Sequence, residues 1–229
     1  MHEVDVTLVH LVGLQPEVGN HSPGKLIALA PAYPKAQRFK VRQHSVDAVG
    51  GIVSRLAALP DAQMQTVPGG IGGALEVFVG YVMLDAWIAN QDRHHENWGA
   101  LWDGTALRLA PTFDHGAALA RNLLDDERQD RMTSKDRNRT VAAFAARGRS
   151  AFYASPDDQR PLELRETFRS FARQVPPAAL AWLDRLRAVK HDEIWGILEG
   201  VPVSRMTETC KRFTMELLLT NQRRLTEED

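Results

Sequence analysis

Residues 74–89 read ALEVFVGYVMLDAWIA, and no stretch of this chain restricts its fold more. Laid on a helix, the segment is apolar on nearly all sides instead of along one stripe. A helix of that kind cannot rest on a surface, so the rest of the chain must surround it. With 229 residues, 44% of them hydrophobic, there is material enough for such a core. From residue 141 onward the apolar spacing is again helical, over about 141–153, 161–173, 177–189, 191–199 and 205–225, with prolines at 156, 161, 176, 177 and 202 marking the breaks. Upstream, Ser45 is placed to cap a helix over about 46–59, where Val46, Val49, Ile52, Val53 and Leu56 keep helical spacing.

Strand signals are fewer. Residues 4–12 (VDVTLVHLV) are β-branched and partly alternating, which predicts a strand. The segment 13–43 is broken by prolines and glycines and reads as irregular, with a short strand at 25–29. WGALW (98–102), then Asp103-Gly104, then TALRLAPTF (105–113) predicts a β-hairpin, because Asp-Gly between two apolar runs favours a tight turn. The expected fold class is therefore α+β, mostly α-helical, with a central β-hairpin. Residues 1–41 are expected to form an irregular N-terminal segment and 42–229 the helical lobe.

Charge and cysteine content narrow the function classes. Lys+Arg is 28 against 29 Asp+Glu, without the basic excess of a general nucleic-acid binder, so no nucleic acid is expected. Cys210 is the single cysteine, which rules out an internal disulfide and fits a reducing compartment. The first residues lack a basic region followed by a long apolar one, so no signal peptide is expected. No run of 18 residues is apolar and uncharged, and no membrane span is expected. The expected location is cytoplasmic.

Directly after the central helix comes NQDRHHENWG (90–99), dense in potential ligands. A transition-metal site, a phosphoryl-transfer loop and a polar surface turn all compete to explain it. His94 and His95 are adjacent and point apart, whereas zinc sites want two histidines several residues apart. The hairpin decides more. It folds APTFDHG (110–116) back toward the loop, so Asp114 approaches Asp92 and Asn97. Two carboxylates and a carboxamide are hard oxygen donors of the kind Mg²⁺ takes together with substrate phosphates. Asp92 and Asn97 are also spaced D-x-x-x-x-N, as in kinase catalytic loops. There the aspartate accepts the proton of the substrate hydroxyl, the asparagine holds a metal, and an aspartate beyond the next hairpin holds another.

IANQDRHHENWG followed by LAPTFDHG resembles the HipA-like kinases, bacterial serine/threonine kinases whose best-known members are toxins of persistence modules. Their N-x-D-R-H-x-x-N-[FW]-G loop precedes a hairpin ending A-P-x-[YF]-D, and the phosphatidylinositol-kinase-like superfamily shares the loop and the metal aspartate. The resemblance covers about residues 42–225 and implies a protein-kinase-like C-terminal lobe. It implies Mg²⁺- or Mn²⁺- and ATP-dependent phosphoryl transfer to a hydroxyl, a protein Ser/Thr. Asp92 would be the catalytic base, Asn97 and Asp114 the metal ligands, and Asn90, Arg93 and His94 the residues that order the loop. His115-Gly116 stands where other kinases put Phe-Gly. No nucleotide-binding residue is assigned. The family's N-terminal lobe, with its phosphate-covering loop and strand lysine, has no counterpart in residues 1–91. An active kinase then needs a lobe from another chain or an unusual use of residues 1–40. The alternative is a truncated pseudokinase acting as a binding or regulatory module. An antitoxin-like protein is a further candidate partner that the resemblance implies. A metal-dependent hydrolase on the same oxygen cluster is the remaining alternative.

Three further features have plainer expectations. PGGIGG (68–73) leads into a helix N-terminus but lacks the Lys-Ser/Thr of a P-loop, so a linker is expected. The charged segment 121–140, with Thr133 and Ser134 among arginines, reads as a solvated loop or frayed helix in the position of an activation segment. Trp87, Trp98 and Trp102 read as core residues, and Cys210 as a small apolar residue of a C-terminal helix.

Overall fold

In the computed structural model the described residues are 40–227 together with the strand β1, Thr7–Val9. The expected short strand at 25–29, and the parts of strand 4–12 outside β1, lie outside the described residues.

The apolar stretch forms α3, Ala74–Trp87, and Val77, Phe78 and Val79 are wholly buried. It ends where Ala89 adopts φ 54°, a left-handed residue that turns the chain out of the helix. Around α3 lie α1 (Val46–Val53), α6 (Leu164–Ala172), α7 (Pro176–Ala188) and α9 (Glu208–Thr226). Between them come α2 (Asp61–Met64), α4 (Asp125–Thr133), α5 (Val141–Arg147) and α8 (His191–Glu199), with α4, α5 and α8 also packed on α9. Phe78 meets Trp98, Phe152 and Phe171 edge-on, with ring centroids 5.5, 6.4 and 5.5 Å away. That geometry suits aromatic quadrupoles and anchors the core beneath the loop that follows α3.

Strands β1, β2 (Ala100–Trp102) and β3 (Leu107–Leu109) form an antiparallel sheet in that order. Thr7 pairs with Trp102, and Trp102 with Leu107. At the hairpin the Asp103 carboxylate accepts from the amides of Thr105 and Ala106 and from the Arg108 guanidinium, while Gly104 takes φ 90°. These bonds, led by the Thr105 hydroxyl, hold the Asp103 carboxyl well below the usual carboxylate range.

Helix α1 stops at Ser54, earlier than its apolar spacing suggests. The reason is tertiary: Ala57 N–H donates to Leu107 O and Ala57 O accepts from Leu109 N–H, both at 2.9 Å, so the chain leaves the helix to flank β3. The charged segment is firmer than expected, since α4 forms there with three acidic residues in its first turn. The glycine-rich lead-in to α3 has an occupant for its free amides: Glu76 Oε2 accepts from Gly72 and Gly73 N–H at 2.7 and 2.9 Å. Trp98 is buried, Trp87 and Trp102 are half-buried, and Cys210 is partly exposed on α9. No helix among the described residues is long and apolar enough to cross a membrane.

Candidate functional site

Asp85 is an aspartate in the last turns of α3, and it is 3% exposed. A carboxylate buried that deeply needs partners. Its Oδ1 accepts from Asn90 Nδ2 at 2.8 Å and from Arg93 Nη2 at 2.8 Å, and Arg93 Nε donates to Oδ2. The fork of the Arg93 guanidinium thus grips the carboxylate on two sides. Asn90 N–H donates to Asp85 O at 2.8 Å and Asn90 Oδ1 accepts from Asp92 N–H at 3.3 Å, so the loop is pinned as it leaves the helix.

Arg93 reaches further. Its Nη1 donates to Asn97 O at 3.0 Å and its Nη2 to Thr112 Oγ1 at 2.8 Å. One guanidinium therefore joins three pieces of chain: the end of α3, the 92–97 loop, and the segment after β3 that carries Asp114. Tyr81 supports it from below, with its ring 5.8 Å from the guanidinium carbon and its hydroxyl donating to Ala110 O at 3.1 Å. Burial pushes the Tyr81 phenol up from its usual range, and it stays a donor.

Thr112 has one hydroxyl hydrogen. Its Oγ1 accepts from Arg93 and forms a second hydrogen bond with His115 Nε2, 2.9 Å away. Burial and then Arg93 lower the His115 pKa from its usual range, against an upward pull from Asp85 and Asp114.

Asn97 Nδ2 donates to Asp92 O at 2.6 Å, which leaves Asn97 Oδ1 as its uncommitted oxygen. The Asp92 side chain is 30% exposed, and Asp114 is exposed at a turn where φ is 52°. Leu119 and Ala120 also have positive φ, and Leu119 N–H donates to Ile88 O at 2.8 Å, drawing the segment after Asp114 onto the end of α3. With Ala89, four non-glycine residues near this one point sit in the left-handed region, strain of the sort that concentrates at functional sites. A hard cation fits this donor set: an exposed carboxylate at Asp114, a free carboxamide oxygen at Asn97, and the Asp92 carboxylate close by along the loop. Among the described residues no three His, Cys, Asp or Glu side chains converge as a metal cage.

His94 is buried, and its Nδ1 accepts from Glu96 N–H at 3.1 Å. His94 Nε2 lies 3.7 Å from Asp92 Oδ1. Beyond them a recess of about 220 Å³ is lined by Lys40, His44, Gln91, His94, His95 and Tyr153. His44, stacked on Phe152 at 4.3 Å, bonds Ala151 O through Nδ1 and accepts from Trp98 Nε1 through Nε2. Both ring nitrogens are used by the neutral form.

Asp85, Thr112 and His44 were not singled out from sequence. For Asp85 the signal exists: a carboxylate inside a helix apolar on nearly all sides must find a buried partner, and an arginine eight residues on can supply it.

Neither family models nor curated proteins match this chain. Among solved structures, it is similar to the Helicobacter pylori proinflammatory kinase CtkA, with a TM-score of 0.58 and 18% sequence identity over 82% of this chain. The match spans 62% of that kinase's chain. At this level of identity the likeness is one of fold, and the fold is that of a kinase-like C-terminal lobe.

Proposed function

We propose that this chain is the C-terminal lobe of a HipA-like kinase, which transfers a phosphoryl group from ATP to a hydroxyl, in the cytoplasm, on a protein Ser/Thr. One observation carries the reading: Arg93, fixed on Asp85, bonds both the 92–97 loop and the segment before Asp114. Phosphoryl transfer needs little covalent chemistry from a protein and a great deal of positioning. A single buried guanidinium that sets the loop against the turn is a device for positioning.

In this reading Asp92 accepts the proton of the attacking hydroxyl, which enters from the recess beside His94. Asn97 Oδ1 and the Asp114 carboxylate hold Mg²⁺ or Mn²⁺. That ion, when bound, neutralises charge on the phosphates. Asn90 and Arg93 keep Asp92 and Asn97 on one rigid loop, and His94 tightens its middle. Residues 42–229 make up this lobe, and the cover over the nucleotide's phosphates is supplied from outside them, by an N-terminal lobe. The kinase description of the structural neighbour supports the reading.

The test separates two carboxylates. Asp92→Asn keeps size and polarity, so metal and nucleotide binding should persist while transfer falls about 10²–10⁴-fold. Asp114→Asn removes a charged ligand, so Mn²⁺-nucleotide binding itself should weaken. Binding isotherms and a phosphotransfer assay on both variants, run with whatever supplies the N-terminal lobe, decide it. Equal loss of metal affinity in the two would make Asp92 a ligand and point to hydrolase-type chemistry. Unchanged cellular function in Asp92→Asn would mark a pseudokinase.

A further inference from the structure

The chain carries a formal charge of −1, yet residues 131–149 hold six cationic side chains and one carboxylate, Asp136. Three of those cations, Arg131, Arg139 and Arg147, line a recess of about 180 Å³ together with Glu127, Asp130 and Asn138. The two acidic groups are already engaged. Glu127 Oε2 accepts from Leu124 N–H at 3.0 Å as a helix cap, and Asp130 Oδ2 pairs with Arg139 Nη2 at 2.7 Å. The guanidinium carbon of Arg131 lies over the Phe144 ring, 4.9 Å from its centroid, a cation–π contact. Its Nε is buried and has no hydrogen-bond partner. Arg147, in the last turn of α5, has no carboxylate partner among the described residues. Two guanidinium groups without a carboxylate hydrogen bond among the described residues, one of them over an aromatic ring, thus line one recess.

We propose that this recess binds a phosphate monoester, with Arg131 and Arg147 as its ligands and Arg139 closing the rim. Planar guanidinium groups match the paired oxygens of a phosphate. A recess of this volume accommodates a phosphate group with the first atoms of what bears it. Nucleic acid fits less well, because no aromatic face lines the recess for a base to stack on. The site is independent of the kinase reading, because it involves neither Asp92, Asn97 nor Asp114 and asks for no metal.

The experiment is a titration of the full chain with inorganic phosphate at constant ionic strength, without metal or nucleotide, following the arginine Nε–H signals by NMR. Saturable shifts at Arg131, Arg139 and Arg147 are expected. Arg147→Gln, an exposed change at a helix end, should weaken the affinity at least about fivefold. Arg147→Lys should recover part of the loss, and Arg121→Gln, outside the recess, should change nothing. A phosphoserine peptide and a short oligonucleotide serve as competitors. A peptide that outcompetes phosphate identifies the source as a phosphorylated segment; displacement by the free ion alone identifies a small phosphate ligand. Failure to saturate, equal weakening by Arg121→Gln and Arg147→Gln, or an oligonucleotide that binds while the phosphopeptide does not, would each overturn the assignment.

Discussion

Removing Asp85 should damage the molecule far more than an ordinary helix substitution. Asp85→Ala leaves the Arg93 side chain, 2% exposed, without its carboxylate. Stripping one partner from a buried ion pair costs about 3–5 kcal/mol, because the other charge stays behind uncompensated. Asn90 Nδ2 loses its acceptor in the same stroke. Arg93→Ala should cost a similar amount, since the Asp85 carboxylate would keep only Asn90. In the double variant neither charge is orphaned, so the cost should fall short of the sum of the singles by about 2–3 kcal/mol. Against a total stability of about 5–15 kcal/mol, all three are measurable. Urea unfolding read by tryptophan fluorescence gives the numbers, with Trp98 next to the loop as a reporter, provided the slopes agree. Amide exchange at Asn97, whose N–H donates to His94 O at 2.9 Å, should quicken in every variant, because the loop loses its anchor. Additivity of the two singles, or an Asp85→Ala cost below about 1 kcal/mol, would refute the reasoning.

Three other outcomes are expected. A methyl at Gly80 would come within 2.3 Å of the Trp182 ring, whose Nε1 donates to Glu76 O, so Gly80→Ala must push α7 off α3 and should lower the melting temperature by about 3–10 °C. Gly51→Ala, with nothing within 4 Å, should instead be neutral or stabilising in the same melting experiment. His44 is held neutral, its pKa lowered from 6.5 to about 3 by burial, with His95, His94 and Arg93 adding to the depression. The unfolded chain therefore binds the extra proton between those two values, stability is intact above pH 6.5, and it declines as pH falls below, by about 2 kcal/mol at pH 5. Unfolding curves at pH 7 and pH 5 should show that gap, and His44→Gln should shrink it.

Much of the candidate site was legible because its signals are local. Asp92, Asn97 and Asp114 are read from two short motifs, and the hairpin between them follows from an Asp-Gly turn. The apolar run of α3 announces its own burial, and the proline breaks place the later helices. What failed to show was whatever depends on a neighbour distant in sequence. α1 ends early because Ala57 binds the edge of β3, some fifty residues on, and no helix-stop residue at 54 records this. His44 serves the loop through Trp98 and Ala151, from 54 and 107 positions away. The segment 125–133 looked unstable as a helix from its charges alone, yet packing on α9 supplies what propensity does not.

Asp85 lies between these cases, and it bears on what the loop motif means. Read alone, the arginine of D-R-H is one exposed-looking cation in a polar run, and its fold-level consequence is invisible. Set against the one carboxylate buried deep in α3, it becomes the counter-ion that makes burying that carboxylate tolerable. The pair then has a directional effect: Asp85 fixes Arg93, and Arg93 spends its remaining donors on Asn97 O and Thr112 Oγ1. Burial of the charge and placement of the loop are thus the same set of bonds. A chain that kept the helix for stability alone could replace both residues by apolar ones at little cost. Keeping them retains a connection between the Asp92–Asn97 loop and the Asp114 turn that the core does not require.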